Sequence, residues 1–312
     1  MKVLVTGAGG FIGSHVARIA AAHGDVVALD APGGDLARIE DLRSDMTVVL
    51  GDLADDDVIA HLAALEPEVC VHCAWYTGES YLDSPRNIDM MAATLRLAIR
   101  LGKSGCRRFV GVGTCLEYDT SGLDPLPETA PLAPGRLYSA CKLGTWYALE
   151  QVARLTGMAT AWARLFYIYG PWEAPSRLVP SVIAALLQGR HTVSTPGQQM
   201  RDFLHVADVA SALWSVATSS IEGTVNVGSG TPFTVADILR ELGAKAGHPN
   251  LVKLGALPYR PGDPMFVCAN NRRLVDECGW TPTFSLSSGL AATLDWWRAR
   301  VTAPSAAETG AA

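Results

Sequence analysis

The chain alternates short, nearly unbroken apolar runs with longer segments in which apolar residues recur at helical spacing. The short runs fall at 3–6, 26–30, 48–50, 69–73, 109–113 and 159–165. They are too brief for helices and too continuous for a sheet with one wet face, so they predict strands buried on both sides. Between them, 14–23, 55–65, 86–101 and 138–155 place apolar residues three and four apart, the pattern of amphipathic helices. Alternating strand and helix predict a parallel sheet with helices on both faces.

After Tyr169-Gly-Pro171 the rhythm changes. Helical spacing continues at 178–188, 206–217 and 235–246, now separated by short strands and Pro/Gly turns. Residues 224–227 read as one more strand, returning to the main sheet. The expected fold class is α/β, a doubly wound parallel sheet with a smaller C-terminal α/β lobe. The first domain is expected over 1–170, with 203–229 returning to it, and the lobe over 171–202 and 230–301. Residues 302–312 are small and polar without periodicity and are expected to be a disordered tail.

Composition narrows the function classes. With 49% hydrophobic and 18% charged residues, the chain is of ordinary globular type. A net charge of -6 and the lack of any Lys/Arg block argue against a nucleic-acid partner. No apolar run reaches the roughly 20 residues that a membrane helix needs, and Met1-Lys-Val-Leu-Val-Thr6 leads straight into a glycine loop rather than resembling a secretory leader. The expectation is a cytosolic protein. Seven scattered cysteines form no disulfide framework and fit a reducing compartment. Cys70 and Cys73 have metal-like spacing, but no second half follows, and positions three apart on a strand face opposite sides. They read as core residues, and no metal is expected.

The first chemical signal is Gly7-Ala-Gly-Gly10-Phe11-Ile12-Gly13, directly after the first strand and opening the first helix. Glycines there allow a tight turn and bring backbone N–H groups against a pyrophosphate, which the positive end of the helix also attracts. The doubly wound sheet is therefore expected to be of Rossmann type. Asp30 ends the next strand, 17 residues beyond Gly13. A carboxylate there accepts hydrogen bonds from a ribose and repels a 2′-phosphate, which favours NAD and leaves NADP open. Asp52 and Leu53, after the third strand, stand where an adenine could be held.

Tyr138 and Lys142 are one turn apart on one face of a predicted helix. An ammonium near the phenol, with a nicotinamide cation close by, lowers the tyrosine pKa towards working pH and makes it a proton donor and acceptor. Thr114 ends the fifth strand, at the carboxyl edge that faces the ligand crevice, where its hydroxyl can orient a reacting oxygen.

Together with Arg164-Leu-Phe-Tyr-Ile-Tyr-Gly-Pro171, Arg201-Asp-Phe-Leu-His-Val-Ala-Asp208 and Arg260-Pro-Gly-Asp263, these motifs resemble the extended short-chain dehydrogenase/reductase family, in the family's order, from Met1 to about Arg300. That family includes sugar-nucleotide epimerases, dehydratases, decarboxylases and 4-ketoreductases. The resemblance implies a nucleotide-diphosphate sugar as substrate. It makes Tyr138 the acid/base, Lys142 the group on the nicotinamide ribose, and Thr114 the third member. Arg201 and Arg260 match diphosphate-binding arginines, a role suited to paired, charge-assisted hydrogen bonds; the plainer reading of either is an ion pair with Asp202 or Asp263. The loop after the fourth strand, with Cys73, Ala74, Trp75 and Tyr76, is expected to border cofactor and sugar, and Tyr167 and Val179 to line the sugar pocket. A homodimer built on the helices near 88–101 and 138–155 is also implied.

Within the family, 4,6-dehydratases carry Asp-Glu after their threonine, because elimination needs an extra acid and base. Decarboxylases place a glutamate two residues after it. Here Cys115 and Leu116 occupy those positions, and Glu117 is displaced by one. A 4-ketoreductase and an NAD-dependent 4-epimerase remain. The stretch 266–280, with Asn270-Asn271 and Gly279-Trp280, is similar to sugar 4-reductases of the CDP-abequose synthase type, and Tyr167 replaces the asparagine usual in epimerases. Asp30 points the other way, since epimerases keep NAD bound. The sequence favours the reductase slightly. A non-catalytic dinucleotide sensor is the alternative of another class, against which stand the intact Thr114, Tyr138 and Lys142.

Overall fold

The computed structural model describes residues 1–302. Six strands alternate with helices in the first half. They are β1 (Lys2–Thr6), β2 (Asp25–Asp30), β3 (Met46–Leu50), β4 (Val69–His72), β5 (Arg108–Thr114) and β6 (Ala159–Leu165), with α1 (Phe11–Ala21), α2 (Asp56–Ala64), α3 (Arg86–Lys103) and α4 (Leu137–Thr156) between them. The second half adds β7 (Tyr167–Tyr169), α5 (Leu178–Leu187), β8 (Thr192–Val193), β9 (Met200–His205), α6 (Val206–Thr218) and β10 (Gly223–Val227). It continues with β11 (Pro232–Thr234), α7 (Val235–Ala246), β12 (Val252–Lys253), β13 (Phe266–Val267), α8 (Arg272–Cys278) and α9 (Leu286–Thr302).

The main sheet runs β10-β6-β5-β4-β1-β2-β3, and every neighbouring pair is parallel. Its order reverses at β1, between β2 and β4, which opens a crevice at the carboxyl ends of those strands. Side-chain alternation divides each strand between two cores. Val3, Val5 and Val71 join Val16 and Ala17 of α1 and Val209 and Leu213 of α6 on one face. Leu4, Cys70 and Phe109 join Leu62 of α2, Leu97 of α3 and Leu149 of α4 on the other. Cys73 packs against the first of these cores and Cys70 lies in the second, so the two sulfurs face opposite ways. All seven cysteines are free thiols.

Residues 224–227 do form a strand of this sheet, as the outermost neighbour of β6. The smaller sheet centres on β9, with β7 and β13 parallel to it and β11 antiparallel. Its core is a separate cluster in which α5, α7 and α9 contribute Ile183, Leu239 and Leu290. Two buried carboxylates tie the lobe to the main sheet. Asp202 accepts hydrogen bonds from the N–H groups of Ser229, Gly230 and Ala269. Asp208, near the start of α6, accepts from the N–H groups of Thr283 and Phe284. Among the described residues no helix is long and apolar enough to cross a membrane. The tail expected from Thr302 lies, apart from that residue, outside the described residues.

Candidate active site

The turn after β1 is built for close approach of a ligand to backbone. Gly7 has φ +67°, a conformation that side chains with a Cβ avoid. A Cβ on Gly13 would lie 2.0 Å from the Gly7 carbonyl oxygen, so the helix can pack on the turn only as glycine. Helix α1 starts at Phe11, three residues earlier than its apolar spacing suggested, because Gly10 takes the N-cap with extended backbone and brings Phe11 and Ile12 into the first turn. With no side chain capping it, the first turn presents the N–H groups of Phe11, Ile12 and Gly13 to the crevice. Across from them, Ala74 lies close enough that a Cβ on Gly7 would meet its Cα at 3.0 Å, and the Cys73 N–H donates to the Thr6 carbonyl. This cradle fits the pyrophosphate of a dinucleotide.

At the β2 end, the Asp30 carboxylate accepts from the Gly9 N–H at 2.6 Å and the Ala31 N–H at 2.7 Å, one bond per oxygen. Each oxygen keeps a lone pair for a ribose hydroxyl. Asp52 is exposed and accepts from the Ala54 N–H, next to Asp30 through the Gly51 N–H bond to the Asp30 carbonyl. The Leu53 side chain points the other way, into the core shared with α2.

Tyr138 lies in the first turn of α4 with its N–H bonded to the Leu82 carbonyl, and its phenol lies beside Thr114. Thr114 Oγ1 accepts from the Leu116 N–H, so the threonine caps its own loop while meeting the tyrosine. Lys142, 2% exposed, donates to the Val112 carbonyl at 2.7 Å, and its ammonium is 5.9 Å from the Tyr138 ring centre. Sequence spacing thus brings all three residues together. Burial pushes the Tyr138 phenol up, with the charges of Tyr81 and Glu117 adding to it. The phenol is protonated here and ready to donate. Burial also pushes the Lys142 ammonium down to about 7, while Glu117 and Cys73 pull it back up.

Glu117 turns beneath this set, away from the crevice. It is fully buried and pairs with Arg164 Nε at 2.7 Å. Its other oxygen accepts from the Thr114 N–H at 2.9 Å and from the Trp162 indole at 3.0 Å. Tyr118 extends the network, receiving a bond from Arg164 and donating one to Asn226. The residues after Thr114 are therefore an anchor for its backbone, and neither Cys115, which is buried, nor Glu117 reaches a substrate proton.

On the sugar side, Trp75 covers the Lys142 ammonium at 3.7 Å from its ring centre and donates to Asn87. Tyr76 is tied to the Glu79 carbonyl, with Arg86 over its ring. Tyr81 stands edge-on to Tyr138, ring centres 5.0 Å apart, and Arg177 lies over Tyr81. Neither Tyr81 nor Arg177 stands out in the sequence, because both lie just outside the recognised motifs. Arg201 is buried over the Tyr167 ring and pairs with Asp263 at 2.8 Å, not with Asp202. The same turn carries Arg260 on its exposed flank, through the Asp263 N–H bond to the Arg260 carbonyl. Val179 corrects the expectation of a pocket residue: at 1% exposure its side chain is in the lobe core with Ile183 and Leu186. The stretch 266–280 is likewise structural at its most distinctive residues, since Trp280 donates to Ser211 and Asn271 to the Gly228 carbonyl. Among the described residues no cluster of three His, Cys, Asp or Glu could hold a metal.

Known proteins resemble this chain over most of its length. A dTDP-glucose 4,6-dehydratase of Xanthomonas campestris is 29% identical, with 94% of this chain and 92% of the relative covered. A UDP-glucose 4-epimerase of Corynebacterium glutamicum is 28% identical, over 90% of this chain and 91% of the relative. Among solved structures, the UDP-glucose 4-epimerase of Thermotoga maritima superposes with a TM-score of 0.86 at 25% identity, covering 96% of this chain and all of the other. The sequence signature of one family matches residues 3–228, from the first strand through β10. With most of its length matched and the glycine cradle and Thr114–Tyr138–Lys142 set in place, the chain belongs to the NAD dependent epimerase/dehydratase family.

Proposed function

We propose that the protein is an NAD-dependent, cytosolic 4-epimerase of a nucleotide-diphosphate sugar. The observation that carries this reading is the protein environment after Thr114. Epimerisation and dehydration are the two reactions named among its relatives, and dehydration needs an acid and a base where this chain has Cys115 and Leu116. Glu117, the nearest carboxyl, is committed to Arg164. Chemistry confined to hydride and proton exchange at C4 asks for no further proton donor than Tyr138.

In this reading the glycine turn of Gly7, Gly10 and Gly13, with Asp30 and Lys142, would hold NAD, which would supply reversible hydride exchange at C4. Tyr138 takes the proton of the C4 hydroxyl and later restores it, while Thr114 orients that oxygen. The Lys142 ammonium holds the nicotinamide ribose and favours the phenolate when the phenol has given up its proton. Arg201 and Arg260 grip the diphosphate, and Trp75, Tyr76 and Tyr167 line the sugar pocket. A homodimer through α3 and α4 is part of the proposal, supported by the exposure of Ile88 and Tyr147 on those helices.

A 4-ketoreductase is the second reading, which Tyr167 in place of asparagine supports. One experiment separates the two. The purified protein is given UDP- and dTDP-hexoses, and C4 epimers are followed by proton NMR. In parallel, NADH and NADPH absorbance is followed with CDP- and dTDP-linked 4-keto-6-deoxyhexoses. Epimer formation without net consumption of reduced cofactor is the expected result. Stoichiometric loss of NADH or NADPH with a keto sugar, and no epimer, moves the assignment to the reductase.

Cofactor choice gives a sharper expectation. Asp30→Asn keeps the bond from Gly9 but removes the charge that repels a 2′-phosphate. The ratio of NADP to NAD dissociation constants is expected to fall by about tenfold or more, the worth of one charge-assisted hydrogen bond and one repulsion. A ratio that stays put in direct titrations places the discrimination elsewhere.

A further inference from the structure

Lys142 presents a physical problem that the motif does not explain. Its ammonium is nearly sealed from water and has one hydrogen bond, to the Val112 carbonyl. Two further N–H donors and a full charge remain to be compensated. The groups facing it from the surrounding elements do little of this. The His72 imidazole, on β4, is neutral, since burial pushes it down to about 3, and its ring nitrogens bond to Thr6 and Thr94. Burial pushes the Cys73 thiol up to about 12, so it too is neutral. The Tyr138 phenol is protonated, and Glu117, the one carboxylate beneath, is matched by Arg164.

What does face the charge is an aromatic surface. The Trp75 indole lies 3.7 Å from the ammonium, ring centre to nitrogen, within the range of a strong cation–π contact. Trp162 is more distant, at 5.8 Å. Trp75 is not placed there loosely. It follows Ala74, which packs on the glycine turn, and its indole N–H donates at 2.8 Å to Asn87, a fully buried side chain held in turn by the Tyr81 and Ser84 carbonyls. The same ring stands edge-on to Tyr138.

We propose that Trp75 is a positioning residue, whose indole face holds the Lys142 side chain in its ammonium form beside Tyr138 and the nicotinamide ribose. This rests on the reading of Lys142 as the ribose-binding group. Removing the ring leaves the buried charge with less compensation, so the ammonium gives up its proton at lower pH. A buried cation–π contact corresponds to a shift of about one pH unit and roughly a tenfold effect where the two forms compete. The cation is the binding form, so the effect is small below the folded-state pKa and grows as pH rises through it.

The test measures NAD dissociation constants by titration calorimetry between about pH 6 and pH 9 for wild type, Trp75→Ala, Trp75→Phe and Lys142→Met. Trp75→Ala is expected to bind about tenfold more weakly at the alkaline end and nearly as wild type at the acid end, with its pH limb moved down by about one unit. Trp75→Phe, which keeps a π face, is expected to restore most of the limb. A loss of equal size at every pH, or no loss, overturns the proposal, since a mere pocket wall has no reason to follow the charge of Lys142. If Lys142→Met weakens binding and Trp75→Ala does not, the Trp75 role alone fails. If Lys142→Met binds NAD as wild type, the fault is in the assignment of Lys142 and both fall.

Discussion

Tyr138→Phe is expected to lower turnover by about three orders of magnitude while leaving NAD binding and thermal stability close to wild type. The substitution deletes one oxygen from a half-buried ring that keeps its edge-on contact with Tyr81. Thr114 keeps its bond from the Leu116 N–H, so the loop stays capped. What disappears is the group that donates to or accepts from the C4 oxygen, and general acid–base catalysis is worth about 10²–10⁴-fold. Steady-state rates with the sugar nucleotide that proves to be turned over, set beside NAD titrations, check this. Turnover within about tenfold of wild type removes Tyr138 from the acid/base role. Dinucleotide binding with no Tyr138-dependent turnover on any sugar nucleotide points instead to a non-catalytic sensor.

The largest effect on stability is expected from Glu117→Ala. Both members of the Glu117–Arg164 pair are almost wholly buried, and Glu117 also accepts bonds from the Thr114 N–H and the Trp162 indole. Truncating the glutamate leaves the Arg164 cation without its counterion and two donors without an acceptor. Breaking a buried pair in this way costs about 3–5 kcal/mol, enough to threaten folding in a protein of ordinary stability. The double variant Glu117→Leu with Arg164→Met removes both desolvated charges and is expected to recover most of the loss. Urea unfolding of the single and double variants measures both. A single-variant loss below about 1 kcal/mol would mean that the pair reaches water and behaves as a surface bridge. Activity is expected to separate from stability in the double variant, because the backbone of Thr114 loses its anchor even where the fold is restored.

The main sheet is legible because most of its strands carry apolar runs and the helices α1 to α4 recur at amphipathic spacing. The small sheet is not, since β11 and β13 are three and two residues long, too short to show a period of two. Val179 belongs with the core on spacing alone, since 179, 182, 183 and 186 form one apolar helical stripe. The partner of Arg201 follows from strand geometry, for Arg201 and Asp202 are neighbours on β9 and face opposite ways. Asp263 was in view as a partner, but the choice between the two needed that alternation to be applied. The Glu117–Arg164 pair could not be read at all. Its members are 47 residues apart, and nothing near Glu117 says that a capping turn folds it under the strand. The contact of Trp75 with Lys142 could not be read, because it depends on the conformation of the loop after β4, which carries no periodicity.

The position of α6 and β10 bears on how the protein is made. Helix α6 covers the same face of the sheet as α1, and β10 closes the edge beside β6, yet both are encoded after the small lobe has begun. A nascent chain that has reached β6 therefore holds six parallel strands with an open edge and one face half bare. Such long-range closure is slow and exposes apolar surface while it waits. The dinucleotide fold cannot be finished during synthesis until about residue 227 has left the ribosome, by which time β7 and β9 have also emerged. The two lobes are thus made interleaved, and maturation of the cofactor cradle is bound in time to that of the sugar pocket.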